Sequence, residues 1–157
     1  MARRRFAFAG GGEVKVRIAR EERQVLRGLP AQLRQLMDED PDDPAVRRLF
    51  PPAYRQRPDH EQEYRRLMGD DLRERRLAAL AAMEETVDAD VLTAEQASGW
   101  LRALNDLRLV LGTRLDVQDD TFAHEIDEAD PRAPALALYG YLSVLEEELV
   151  EALAEGV

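Results

Sequence analysis

Three observations predict a mainly α-helical protein, a compact bundle of about five helices with an N-terminal β-hairpin. Trp100, Leu101, Leu104, Leu107, Leu111 and Leu115 recur at helical spacing, which gathers them on one stripe that a helix over 97–115 must bury. Leu138, Tyr141, Leu142, Leu145, Leu149 and Leu153 repeat the pattern over 135–154. By contrast, Arg5–Ile18 alternates, RFAF and EVKVRI, around Gly10, Gly11 and Gly12, and glycine enters positive φ without steric cost. The 157 residues fit a single domain over 1–157, a size that buries roughly 70% of the unfolded surface without disulfides or metals.

The hairpin takes 1–19, with Phe6, Phe8, Val14, Val16 and Ile18 on one face and Lys15 and Arg17 on the other. An isolated hairpin is marginal in water, so it must dock on helices or on another strand. A helical body follows over 20–115. Over Arg20–Met37 the apolar pattern runs through Gly28 and Pro30, so a kink or a pair of short helices meeting near Leu29 is expected. A proline-rich connector occupies 38–59, where Asp43 before Pro44 starts a short helix that Pro51 and Pro52 stop. His60–Val87 reads as helical in two parts, the first closed by Gly69 and the second opened by a capping box of Asp71 and Glu74. Arg73, Arg75 and Arg76 then form a solvent face paired with Glu74, Glu84 and Glu85. Thr93 with Gln96 caps the central helix, which is expected to end near Gly112. An acidic loop over 116–132, anchored by Phe122 and Ile126, is expected to be mobile. Pro134 opens the last helix, 133–154, whose apolar stripe is widened by Leu136, Tyr139 and Val150, so that it packs between neighbours or pairs with a second copy as a homodimer.

Charge and composition narrow the function. Residues 1–66 hold 15 basic and 11 acidic side chains, and 67–157 hold 7 and 21, within a net charge of −10. Phosphate neutralisation supplies most non-specific affinity for nucleic acid, so this body disfavours direct DNA binding. There is no cysteine, hence no thiolate nucleophile or cysteine-bound metal. Ser98 and Ser143 stand in no nucleophile elbow, and His60 and His124 sit in charged company, HEQE and HEID. No catalytic residue, metal site or cofactor is expected. No run approaches the roughly 20 apolar residues of a membrane span, and no signal-peptide pattern is visible, so a cytoplasmic protein without membrane contact is expected.

Three groups of residues could meet a partner. In the connector, Arg47, Arg48, Arg55 and Arg57 alternate with Phe50 and Tyr54, a pattern suited to an acidic or phosphorylated partner. The bland alternative has Leu49, Phe50 and Tyr54 pinning the connector while the arginines pair with nearby Asp residues. On the central helix, Asn105, Asp106, Arg108 and Arg114 either position a partner or serve the bundle, with Arg102–Asp106 as a surface pair and Asn105 bonding toward Arg108. A nucleic-acid alternative uses Arg3, Arg4, Arg5, Lys15, Arg17 and Arg20, although no aromatic ring is left between them for base stacking.

Four stretches, VRRLFPPAY after DPDDP, EYRRLMGDDLRERRLAAL, WLRALNDLRLVLGTRL and YGYLSVLEEELVEAL, resemble in order and spacing the AosR-like actinobacterial family, formerly a domain of unknown function. The resemblance spans nearly the whole chain. It implies a helical cytoplasmic regulator of oxidative-stress genes without catalysis, acting through a sigma factor or RNA polymerase. Because such proteins are typically encoded beside the ClpS adaptor, an accessory factor of ClpS-linked proteolysis is the alternative partner class, and a direct DNA-binding regulator using the N-terminal hairpin is the other. The family's redox response works through cysteines, which this chain lacks, leaving only Met37, Met68 and Met83 as oxidisable sulfur, all on apolar patterns.

Overall fold

The computed structural model describes residues 4–50, 58–123 and 125–156, of which 58–70 by backbone alone. Tyr54, Arg55, Arg57, Arg3 and His124 fall outside the described residues, as do the side chains of His60 and Met68. In chain order the elements are β1 (Phe6–Gly10), β2 (Glu13–Val16), α1 (Arg20–Arg27), α2 (Leu29–Glu39), α3 (Pro44–Arg47), α4 (Pro58–Glu85), β3 (Val91–Leu92), α5 (Ala94–Arg114) and α6 (Ala133–Ala154). The mainly helical fold with its N-terminal hairpin is the one the apolar periodicity predicts.

The hairpin pairs Phe6 with Val16, Ala7 with Lys15 and Phe8 with Val14. Gly10, Gly11 and Gly12 turn the chain at φ 89°, 62° and 81°, a run of left-handed backbone that side chains rarely tolerate. Phe6, Val14, Val16 and Ile18 enter the core, but Phe8 stays 40% exposed at the end of the ladder, where its ring lies against Gly156. The dipeptide strand β3 was not legible in the sequence. It pairs Leu92 with Val14 and Val91 with Lys15, covering the free edge of β2 and giving the hairpin the third strand it needs.

Arg23 fastens this sheet to the helices. It is 8% exposed, donates from Nε to the Ile18 carbonyl at 2.9 Å, and donates from Nη1 to the carbonyls of Val87 at 3.0 Å and Ala89 at 2.8 Å. The carbonyls of Val87 and Ala89 lie in the turn just beyond the end of α4, where no helical ladder supplies them a donor. A planar guanidinium serves several oxygens at once, which is why an arginine is buried here.

α1 and α2 meet at Gly28, with Pro30 tolerated in the first turn of α2. Asp43 accepts from the Ala45 N–H at 2.8 Å and starts α3 as expected. α4 overturns the expected break: it runs unbroken through Gly69, and Asp71 pairs with Arg75 one turn on at 2.8 Å instead of capping a new helix. A mid-helix glycine costs about 1 kcal/mol, a weaker stop signal than tertiary packing can override. Along α5 the Thr93–Gln96 capping box is present. The helix continues past Gly112 to Arg114, because Gly112 is a packing glycine: a Cβ there would stand 2.9 Å from Cε2 of Tyr139 on α6.

α5 is the axle. Trp100 is wholly buried, meets Phe6 edge to face at 5.9 Å, and donates from Nε1 to the Thr86 hydroxyl at 2.7 Å. α4 and α6 flank it, with α2 and α3 alongside and the sheet across its N-terminal half. Met37 and Met83 are buried at 1% and 0% exposure. α6 buries Leu136, Leu142, Leu145, Leu149 and Ala152, while Val144 and Val150 remain exposed and Tyr139 is covered by a stacked Phe122 at 5.7 Å.

Replacing Arg23 by Ala leaves its backbone acceptors without their charged donor. The expected loss is about 3 kcal/mol of unfolding free energy, measured by urea titration, with Arg23→Lys intermediate because one ammonium cannot span the same oxygens.

Candidate partner-binding surface

α5 carries four of the residues singled out above, and helix geometry sends them apart, since successive residues turn by about 100°. Asp106 faces α4. Its Oδ1 accepts from Arg76 Nη1, and its side chain is 1% exposed, so it forms no surface pair with Arg102. Arg108 faces α6 instead of Asn105: Nε donates to Ser143 Oγ at 2.8 Å, Nη1 to Glu146, and the guanidinium lies 5.4 Å from the Tyr139 ring centre. Arg114 faces the connector, donating from Nη2 to Asp43 Oδ2 at 3.1 Å. Asn105 is exposed. Asp106, Arg108 and Arg114 are therefore joints between helices, and of the four only Asn105 and the exposed flank of Arg114 are open to a partner.

The Arg76–Asp106 joint is electrostatically costly. Asp106 Oδ2 and Arg76 Nε are buried without a hydrogen-bond partner among the described residues. Burial pushes the Asp106 carboxyl above its usual range, and the hydrogen bond and charge of Arg76 only partly offset that. Phe50 lies under the same guanidinium at 5.7 Å. Arg73, Arg75 and Arg76 are thus not paired with Glu74, Glu84 and Glu85: Arg73 bonds to Asp38, Arg75 to Asp71, Arg76 to Asp106, and Glu84 pairs with Arg34 of α2 at 3.3 Å.

α3 supplies the outward cationic face. Ala45, Val46 and Leu49 are buried at 1%, 1% and 0% exposure, which leaves Arg47 and Arg48 outside on a firmly seated turn. Arg48 Nη1 comes within 3.4 Å of Thr113 Oγ1 in the last turn of α5, where free carbonyls favour a cation. The Ala45 N–H and then Arg114 hold the Asp43 carboxyl below its usual range, so the anchor of this face stays ionised at neutral pH. Asn105 lies back along α5 from Thr113 by about 12 Å.

On the hairpin, Arg4 pairs with Glu151 at 3.0 Å and Glu155 at 3.7 Å, and Arg5 pairs with Glu22 at 2.7 Å and Glu148 at 3.7 Å. Two cations of the nucleic-acid alternative are engaged by carboxylates, while Lys15 and Arg17 are exposed. Sequence reasoning missed the group that Arg5 enters. Tyr141 stacks under its guanidinium at 5.4 Å, and burial followed by the Glu22 carboxylate raises the phenol above its ordinary value. Burial opposes ionisation of Glu22, yet Tyr141 and Arg5 together hold that carboxyl low. Only the apolar spacing that placed Tyr141 inward hinted at this, because its partners come from the residue before β1 and from α1.

A family model described as a domain of unknown function, DUF2017, matches residues 3–153. A protein of Mycobacterium leprae (strain TN), whose provisional name is oxidative stress regulator AosR, is 30% identical over 152 residues, covering 85% of this chain and 67% of its own. No solved structure matches the chain.

The raised carboxyl of Asp106 has a defined sign. A group whose folded pKa lies above its unfolded value binds its proton more tightly when folded, so the protein gains stability from it as pH falls through the folded pKa. Asp106→Asn removes that titration, so its destabilisation relative to the parent is expected to grow between pH 7 and pH 4 in paired urea titrations. A difference that shrinks over that interval would mean a lowered pKa.

Proposed function

The chain belongs to the DUF2017 family, and on that premise we propose that it is a non-enzymatic regulatory protein of the oxidative stress response that works by touching a component of the transcription apparatus, a sigma factor or RNA polymerase. The relative's name supplies the regulatory role. The observation that carries the contact reading is α3: a turn with a fully buried underside holds Arg47 and Arg48 outward at the end of α5, pre-ordered for bidentate bonds to carboxylates of a partner. Pre-ordering matters because each long side chain frozen on binding costs about 0.5–1.5 kcal/mol. Arg114 borders this face through Asp43, Asn105 stands exposed on another side of the same helix, and Phe50 follows α3 with its ring under the Arg76 guanidinium. Asp106 and Arg108 instead join α5 to α4 and α6.

Reversing both charges, Arg47→Glu with Arg48→Glu, touches exposed side chains and should cost about 1 kcal/mol of stability at most, through the loss of the Arg48 cation at the end of α5. Capture of a sigma factor or RNA polymerase by the tagged protein from oxidatively stressed host cells should fall at least tenfold. Equal capture by the reversed variant, at unchanged melting temperature, would refute the assignment of this face.

A further inference from the structure

α2 and α6 both lean on α5 but part from each other over its C-terminal half, leaving an open cleft of about 340 Å³. Its floor is apolar: Leu33, Leu107, Val110 and Leu142 are each under 9% exposed. Leu29, Leu36, Leu111 and Leu138, half-buried, line the walls. Every polar residue of the lining, Gln32, Gln35, Glu39 and Arg114, is exposed on the rim. Pockets that orient small molecules set polar groups inside the cavity, whereas a dry apolar centre with a polar rim is the anatomy of a protein interface.

Resting on the partner-contact reading above, we propose that this cleft receives aliphatic side chains from a short amphipathic helix of the partner protein, and that basic residues flank those side chains. Charge selects this occupant. The α2 end of the cleft is followed by Asp38, Glu39, Asp40, Asp42 and Asp43, against which Arg73 and Arg114 are the paired cations among the described residues. Asp40 and Asp42 are exposed, and Glu39 is met by the neutral Gln35 at 3.1 Å. A lysine or arginine beside the inserted side chains would therefore meet carboxylates. A second copy of the chain fits poorly: the exposed apolar residues of α6, Val144 and Val150, stand beside Glu147 and Glu151, and acid would face acid. The cleft and α3 meet different parts of α5, with Leu107, Val110, Leu111 and Arg114 facing the first and Thr113 the second, so one partner can engage both.

The test places a photoreactive benzophenone side chain at Leu111 in the cleft and, in a second full-length protein, at Arg48 on α3, and identifies crosslinked peptides from stressed host cells by mass spectrometry. Crosslinks from Leu111 to a helical segment with flanking Lys or Arg are expected. A synthetic peptide of that segment should bind the full chain at least tenfold more weakly after Glu39→Lys with Asp42→Lys, a change confined to exposed carboxylates on the rim and just beyond it, and more weakly as salt is raised. Crosslinks from Leu111 only to a second copy, or to a segment without basic flanks, overturn the inference. So does peptide binding indifferent to the rim reversal. Crosslinks from position 48 but none from 111 overturn the cleft alone and leave the contact reading standing; none from either position overturns both.

Discussion

The structure depends on one constraint: α5 is enclosed by helices and sheet, so every polar side chain on its enclosed faces must find a partner on a neighbour. Trp100 takes Thr86, Asp106 takes Arg76, Arg108 takes Ser143 and Glu146, and Arg114 takes Asp43. The bonds reach α4 and the turn at its end, α6, and the start of α3, so together they set the angular order of the bundle around its axle. Apolar burial supplies most of the driving force, but it is non-directional. The polar spokes supply direction. Arg76–Asp106 also carries the liability of such joints, since removing either partner strands a charge in a dry place.

The regular elements were legible because their signals are local. The capping box of α5, the Asp43 cap, the glycine turn and the break at Gly28 each depend on residues a few positions apart, and each is present. Gly69 and Gly112 misled because a glycine marks only a possible helix end, and α4 and α5 both run through theirs. Gly112 stays helical because Tyr139 needs its missing side chain. β3 escaped because a dipeptide strand has no period of its own and exists only as the complement of β2.

The candidate surface was legible in part. Arg47 and Arg48 face outward because Ala45, Val46 and Leu49 face inward, a conclusion available from helical spacing alone. Asn105, Asp106, Arg108 and Arg114 looked like a cluster because they are close in sequence, yet a helix turns adjacent residues apart, and their partners lie 30 to 71 positions away. The rim of the cleft was invisible for the same reason, since α2 and α6 become neighbours only through α5.

The Arg23 clamp bears on how the chain assembles. It joins residues 64 and 66 positions apart, whereas the Trp100–Thr86 bond spans 14. Closing the longer loop costs about 1.3 kcal/mol more in chain entropy, on the logarithmic dependence of closure on length. The pairing of α4 with α5 is therefore cheaper to close than the clamp that joins the sheet to the end of α4. The hairpin is made before α4, but the Arg23 clamp waits until residue 89 has been added, so a segment synthesised earlier is locked in place later.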